Sequence, residues 1–173
     1  MPFDRYLEEF TATVRKVFRE AEPTDRSLLQ RGIPQGVLTS VMNLNPLAVC
    51  IPEEYGGRGG RINEILALLS AASYESLALS LTLGINSGLF IQPLVKYARE
   101  EVRGPILKRF MNHRSMGGLM ITEPGFGSDA LNMQTCYTHQ GGHYLIRGMK
   151  HWAGLTGHAD YWMLSAREET AGG

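Results

Sequence analysis

The sequence carries no excess of either charge. Its 173 residues include 17 Lys and Arg and 17 Asp and Glu, so the formal net charge at pH 7 is zero. Domains that bind nucleic acids normally carry a basic surplus that neutralises phosphates, and the balance therefore argues against that class. Hydrophobic residues make up 43% and charged residues 20%, which are values typical of a folded globular chain rather than a disordered one.

The sequence is also poor in residues that build disulfide frameworks and metal centres. Its two cysteines, Cys50 and Cys136, lie far apart, and without a visible export signal we expect two buried thiols rather than a disulfide. Neither the cysteines nor the five histidines show CxxC or HExxH spacing, so no metal site is predicted. His139 and His143 flank a Gly-Gly turn, where they could face each other or be two exposed hairpin residues.

No targeting or membrane-spanning segment is visible in the sequence. The first five residues show no basic stretch followed by an apolar one, so we expect no signal peptide and a cytoplasmic location. Polar residues interrupt the most apolar run, residues 62–83, and no stretch approaches the roughly 20 apolar residues that a span requires. We therefore expect no membrane span.

The hydrophobic pattern changes along the chain, which predicts a helical domain over residues 1–114 and a β-domain over residues 115–173. Apolar spacings of three and four predict helices before Pro23 and over 25–31, 35–43, 62–81, 86–98 and 100–112, with Pro93 as a kink or break. Strands are predicted over 116–122, 134–139, 143–147 and 160–167, with a hairpin at the Gly-Gly pair.

The predicted fold class is α+β, an all-helical domain followed by an incomplete antiparallel β-domain. About four strands leave a sheet edge unpaired and one face without a partner. We therefore expect the chain to be a fragment, or to be completed by another polypeptide.

Glycine is the residue in surplus: 20 of the 173 residues, about 12% against a usual 7% or so. One glycine-rich block, residues 121–129, follows a predicted strand. Gly125 and Gly127 would permit dihedrals and a close approach that a β-carbon blocks, and Ser128 offers a hydroxyl and an N–H to an oxyanion. Thr122 could present its hydroxyl to a heteroaromatic edge. By itself the block is either a phosphate-binding loop or a structural turn.

Another glycine-flanked block, residues 148–154, contains Trp152 between two predicted strands. The indole could lie flat against a planar ligand, or it could be a core residue.

Together with a block at residues 51–57, these two blocks resemble the acyl-CoA dehydrogenase family of flavoproteins over nearly the whole chain. In chain order, the first block is residues 51–57, the second is residues 121–129 and the third is residues 148–154. Residues 51–57 are similar to the family's P-E-E-Y-G-G loop, and residues 122–129 to its T-E-P-x-x-G-S-D motif. Residues 148–152, followed by Ala159-Asp160 and Ala166-Arg167, are similar to its G-x-K-x-W … A-D … A-R stretch. The three blocks occur in the family's order.

The resemblance implies a protomer of three domains, of which this chain covers the helical first and about half of the β-rich second, with the C-terminal helical domain absent. It implies FAD-dependent α,β-dehydrogenation of an acyl-CoA substrate, an electron-transferring flavoprotein as acceptor, and a homo-oligomer when complete. An acyl-CoA oxidase, which passes electrons to oxygen, and a non-catalytic interaction module on the same scaffold stay open as alternatives.

The resemblance also implies site residues. Leu119, Ile121 and Thr122 would lie along the flavin ring edge, and Trp152 would pack against the isoalloxazine. Gly127 and Ser128 would reach the FAD pyrophosphate, with Ser128 also near the CoA substrate.

There are also departures from the family pattern. Gly154 stands where the family usually has a Thr or Ser facing the flavin, so only its backbone N–H remains for the cofactor, and Leu119 replaces a common aromatic. No residue matches the catalytic Glu of the family's C-terminal domain, so the chain alone is expected to be inactive. Glu123 belongs to the motif and is interpreted as a structural residue.

Overall fold

In the computed structural model, which describes residues 1–21 and 32–169, helices come first and strands second. The chain divides into two compact units, Met1–Met116 and Gly117–Gly173, whose boundary lies two residues from the predicted one. The short helix predicted over 25–31 falls outside the described residues.

The first unit is built from helices. They are α1 (Phe3–Glu20), α2 (Gln35–Met42), α3 (Ile62–Glu75), α4 (Leu77–Gly84), α5 (Gln92–Tyr97) and α6 (Glu100–His113). A π-helical segment, Ile85–Ile91, joins α4 to α5, and 3₁₀ turns occupy Pro46–Cys50 and Glu53–Tyr55. Phe10 of α1 and Phe110 of α6 are among the fully buried side chains that form the core of this unit.

The long helix predicted over 62–81 is wrong at one residue, Ser76, which separates α3 from α4. Ser76 has an extended backbone (φ −158°, ψ 116°), and its hydroxyl accepts a hydrogen bond from the N–H of Leu79 at 3.2 Å. Serine is a strong N-cap because its side-chain oxygen replaces a helical acceptor. A periodicity that continues through the serine does not reveal this cap.

Pro93 does not break the helical path, because the backbone widens before it. In the π-helical segment the N–H of Gln92 donates to the carbonyl of Ser87, five residues earlier. The wider turn accommodates a ring that would otherwise clash with the carbonyl four residues back. Asn86 and Ser87 are buried here, and their side chains donate to the carbonyls of Thr82 (2.8 Å) and Gly84 (3.2 Å).

Among the described residues one helical stretch, Leu77–Tyr97, has the length and mean hydropathy (1.4) of a membrane span. The expectation that no stretch approaches this length is therefore wrong, because the π-helical segment joins two predicted helices into one. A core helix passes the same test, and 39% of this stretch is buried within the protein. The absence of a membrane span stays a prediction.

The first motif block forms a tight loop within the helical unit. The N–H groups of Gly57 and Gly59 donate to Pro52 and Ile51, at 3.1 and 2.9 Å, and a β-carbon at Gly57 would collide with the Ile51 carbonyl. The hydroxyl of Tyr55 donates to Glu100 at 2.9 Å. The hydrogen bond from Tyr55 therefore connects this loop to α6.

The second unit contains five short strands in two sheets. They are β1 (Gly117–Met120), β2 (Cys136–Gln140), β3 (His143–Arg147), β4 (Tyr161–Leu164) and β5 (Arg167–Glu168). One sheet pairs β1 with β4, and the other has the order β3-β2-β5.

The antiparallel prediction is confirmed for the β2–β3 hairpin, but β1–β4 and β2–β5 are parallel pairs. Long connections, rather than tight turns, separate the partners of each parallel pair, so the chain can return in the same direction. The strand predicted over 160–167 is interrupted at residues 165–166, and its two halves pair with different strands.

The hairpin turn determines whether His139 and His143 face each other. Gly141 and Gly142 both have positive φ, 54° and 85°, as a two-residue hairpin loop requires. His139 is paired with Tyr144, with ring centroids 4.9 Å apart, while His143 is paired with Gln140. The two histidines are thus exposed hairpin residues that do not face each other.

Both cysteines are free thiols, but the prediction that both are buried is wrong for Cys136. Cys50 is buried, and burial raises its pKa to about 12, whereas Cys136 is only half-buried.

Candidate functional site

Strand β1 positions the loop that contains the second motif block. Gly118 of β1 is in register with Trp162 of β4, and a β-carbon on Gly118 would lie 2.5 Å from the indole carbon Cζ3. Glycine at this position therefore lets the indole pack directly on the backbone of β1. Leu119 lies in the strand, and Ile121 and Thr122 follow it at the start of the loop.

A buried ion pair connects the second and third motif blocks. The Lys150 ammonium lies 2.9 Å from Oε1 of Glu123, with side chains 6% and 3% exposed, and it also donates to the Ile121 carbonyl at 3.0 Å. The Glu123 carboxylate accepts from the N–H groups of Gln134 (2.6 Å) and Thr135 (2.9 Å). These bonds join three segments that are distant in sequence.

The surroundings of Glu123 make it a poor base. Burial alone would raise the pKa of Glu123, but hydrogen bonds from Thr135, Lys150 and Gln134 outweigh it and lower that pKa to about 2. A general base works best when its pKa lies near the working pH. With its oxygens bound to three donors, Glu123 stabilises the loop, which supports its interpretation as a structural residue.

The third block is hydrogen-bonded to the backbone of Thr122. The N–H of His151 donates to the Thr122 carbonyl at 2.8 Å, and Trp152 follows directly. Trp152 has φ +60° and a side chain that is 79% exposed, so it is not a core residue. A positive φ is costly for a bulky side chain and is found mostly where the surrounding structure, often at a functional site, requires it.

Two reasons were given for Gly125 and Gly127 in the glycine-rich loop: special backbone dihedrals and the close approach of a ligand. The structure supports only the second reason. The backbones of Glu123 and Phe126 exchange hydrogen bonds of 3.3 and 3.1 Å, which close a tight turn. Neither Gly125 nor Gly127 has φ in the left-handed region, so the argument from special dihedrals is wrong. No described atom lies within 4 Å of a β-carbon built on either glycine, so the exposed loop leaves room for a ligand to approach its backbone.

The remaining predicted residues, Ser128 and Gly154, lie in exposed turns. Asp129, next to Ser128, accepts a hydrogen bond of 2.7 Å from the Asn132 amide, which fixes the end of the glycine-rich loop. Gly154 begins a turn over 154–158 that buries Leu155.

Sequence reasoning assigned no role to Lys150, although it is the fixed lysine of the G-x-K-x-W pattern, and it did not single out His151. The only signal for His151 was its position immediately before Trp152 in a short glycine-flanked run. Within residues 1–21 and 32–169, no group of three or more His, Cys, Asp and Glu side chains is placed to hold a metal ion.

A helical unit followed by a β-unit, in which a buried Lys–Glu pair joins the second and third motif blocks, is the arrangement that the resemblance to the acyl-CoA dehydrogenase family implies. The model of the acyl-CoA dehydrogenase N-terminal domain matches residues 5–114, and that of the middle domain matches residues 118–173. The chain belongs to the acyl-CoA dehydrogenase family.

Individual relatives agree with this assignment. The chain is 30% identical over 129 residues to mitochondrial isovaleryl-CoA dehydrogenase of Pongo abelii, covering 75% of this chain and 30% of the relative. It is 31% identical over 158 residues to the Solanum tuberosum protein of the same name, covering 87% and 37%. The chain thus spans about a third of the length of these relatives.

A solved structure shows the same fold. Acyl-CoA dehydrogenase from Bacillus anthracis, complexed with FAD, superposes with a TM-score of 0.80 at 24% identity, covering 96% of this chain and 28% of that one. This similarity confirms the α+β fold, with helices preceding strands.

Proposed function

We propose that this chain supplies part of the flavin and acyl-CoA site of an FAD-dependent acyl-CoA dehydrogenase. Family membership supports the oxidoreductase class, and the similar Bacillus anthracis protein is complexed with FAD. The observation that carries the proposal is Trp152, an exposed indole on a left-handed backbone. It directly follows His151, whose N–H donates to the Thr122 carbonyl.

The residues of the second unit fit a flavin. Bound FAD supplies the hydride acceptor for oxidation of the thioester's α–β bond. Trp152 offers a broad planar surface for the isoalloxazine, and the Thr122 hydroxyl can bond the edge of the ring. Leu119 and Ile121 contribute backbone beside that edge, and Gly154 contributes its N–H. These roles are the ones that the family resemblance implies, and the exposure of Trp152 and the hydrogen bond between the two loops support them.

The glycine-rich loop suits the cofactor's pyrophosphate. The open space at Gly127 allows phosphate oxygens to approach the backbone, and the adjacent Ser128 offers a hydroxyl and an N–H to them. We also assign Ser128 to the CoA portion of the substrate. An electron-transferring flavoprotein as acceptor, assembly into a homo-oligomer and a cytoplasmic location belong to the same proposal.

The described residues provide binding and orientation rather than proton abstraction. Glu123 is the buried carboxylate nearest in sequence to the proposed flavin residues, and its lowered pKa and its three hydrogen-bond donors suit a structural role rather than that of the base for the substrate's α-proton. Because no residue of the chain matches the catalytic Glu that the resemblance implies, we expect the chain alone to bind cofactor without catalysing turnover.

The proposal is tested by titrating FAD into the purified 173-residue chain and into its W152A variant. An aromatic contact contributes about 0.5–1.5 kcal/mol, so W152A should bind FAD roughly 2- to 12-fold more weakly. Y144A is the matched control, since Tyr144 is an exposed aromatic (59%) on the β2–β3 hairpin of the same unit. If W152A binds FAD as tightly as the wild-type chain, Trp152 has no flavin role.

A further inference from the structure

The histidine that precedes Trp152 contacts it ring to ring. The centroids of the His151 and Trp152 rings are 4.5 Å apart, and their planes are inclined by 32°. Both side chains are exposed, so the contact is not a by-product of core packing. Neighbouring residues in an extended strand point to opposite faces, but His151 and Trp152 lie outside the strands and Trp152 has a left-handed φ of 60°, so that alternation does not apply to them.

The backbone of His151 is attached to the same loop that Trp152 serves. Its N–H donates to the Thr122 carbonyl at 2.8 Å, and the preceding residue, Lys150, forms the buried ion pair with Glu123. His151 is therefore the last residue before the indole with a fixed backbone partner in the β1 loop.

An exposed indole needs a neighbour that limits its rotation. With 79% of its side chain exposed, Trp152 has little packing to select one rotamer, and a freely rotating ring would lose entropy on binding a flat ligand. Aromatic rings at centroid distances of about 4.5–7 Å attract each other in tilted and offset arrangements, so the imidazole can supply that restriction.

We propose that His151 is a positioning residue, whose imidazole ring fixes the orientation in which Trp152 presents its indole to the flavin. The inference rests on the proposed function for its purpose, but the orientation itself is a property of the flavin-free chain. An aromatic ring of another kind at position 151 should serve as well, whereas a methyl group should not.

The first test needs no cofactor. An immobilised indole produces a near-UV circular dichroism band, and subtracting the spectrum of the W152F counterpart in each background isolates the contribution of Trp152. We expect H151A to lose most of this band and H151F to keep it, with H143A, an exposed hairpin histidine, as the unchanged control. A full-intensity band in H151A, or a loss in H151F equal to that in H151A, overturns the proposal.

The second test uses FAD affinity. Loss of the ring contact should weaken FAD binding by H151A roughly 2- to 10-fold, and H151F should restore it. Wild-type affinity in H151A overturns the positioning role. If the wild-type chain binds no FAD, the proposed function fails, and the dichroism comparison still decides whether His151 orients Trp152.

Discussion

Replacing Trp152 by glycine or by alanine separates the cost of its backbone from the value of its ring. Both variants remove the indole, which is 79% exposed, so little buried area is lost in either. A left-handed backbone costs a non-glycine residue about 1–2 kcal/mol, and W152A retains that cost whereas W152G does not. The greater freedom of glycine in the unfolded chain offsets about 0.4–1 kcal/mol of the difference. W152G should therefore be more stable than W152A, by about 0.8 kcal/mol at the middle of these two ranges.

The comparison is made by urea unfolding, followed by far-UV circular dichroism because the variants lack one of the two tryptophans. Both variants lose the contact with His151 equally, so that contact cancels between them. W152A equal to or more stable than W152G would refute the argument that φ +60° at this position is strained.

Two further predictions concern the supports of the site. G118A should destabilise the chain by about 1–3 kcal/mol in the same assay, because the new methyl group overlaps the indole of Trp162. Unchanged stability would contradict the direct packing of that indole on β1. The pKa of Glu123 is lowered from 4.5 to about 2, so its contribution to stability is complete above pH 4.5 and disappears as the pH falls toward 2. E123Q should be less stable than the wild type at pH 6, and the difference should shrink at pH 3; a constant difference would exclude the carboxylate's charge as its cause.

Local patterns predicted much of the helical unit because its helices follow apolar periodicity. They failed where one side chain or one backbone adjustment overrides that periodicity. Ser76 caps a new helix inside an unbroken apolar pattern, and the π-helical segment before Pro93 preserves a helix where proline predicts a break. Both events depend on hydrogen bonds between specific residues, which composition and spacing do not report.

In the β-unit and the site, too, local features could be predicted from the sequence, whereas contacts between distant segments could not. The hairpin could be predicted because its Gly-Gly turn is local, whereas the parallel pairs depend on contacts between distant segments. Likewise, the motifs indicated Thr122 and Trp152, but the ion pair of Glu123 with Lys150, 27 residues apart, is visible only in the folded chain. The left-handed backbone of Trp152 had no signal in the sequence.

The visible absorption spectrum of FAD, recorded as the purified chain is added, tests the central claim most directly. A flavin that packs against Trp152 leaves water for a more structured site, so its absorption bands should shift and saturate with added chain. The shift should be smaller in W152A and unchanged in Y144A. A flavin spectrum that stays that of free FAD at all chain concentrations would contradict the assignment of these loops to the cofactor.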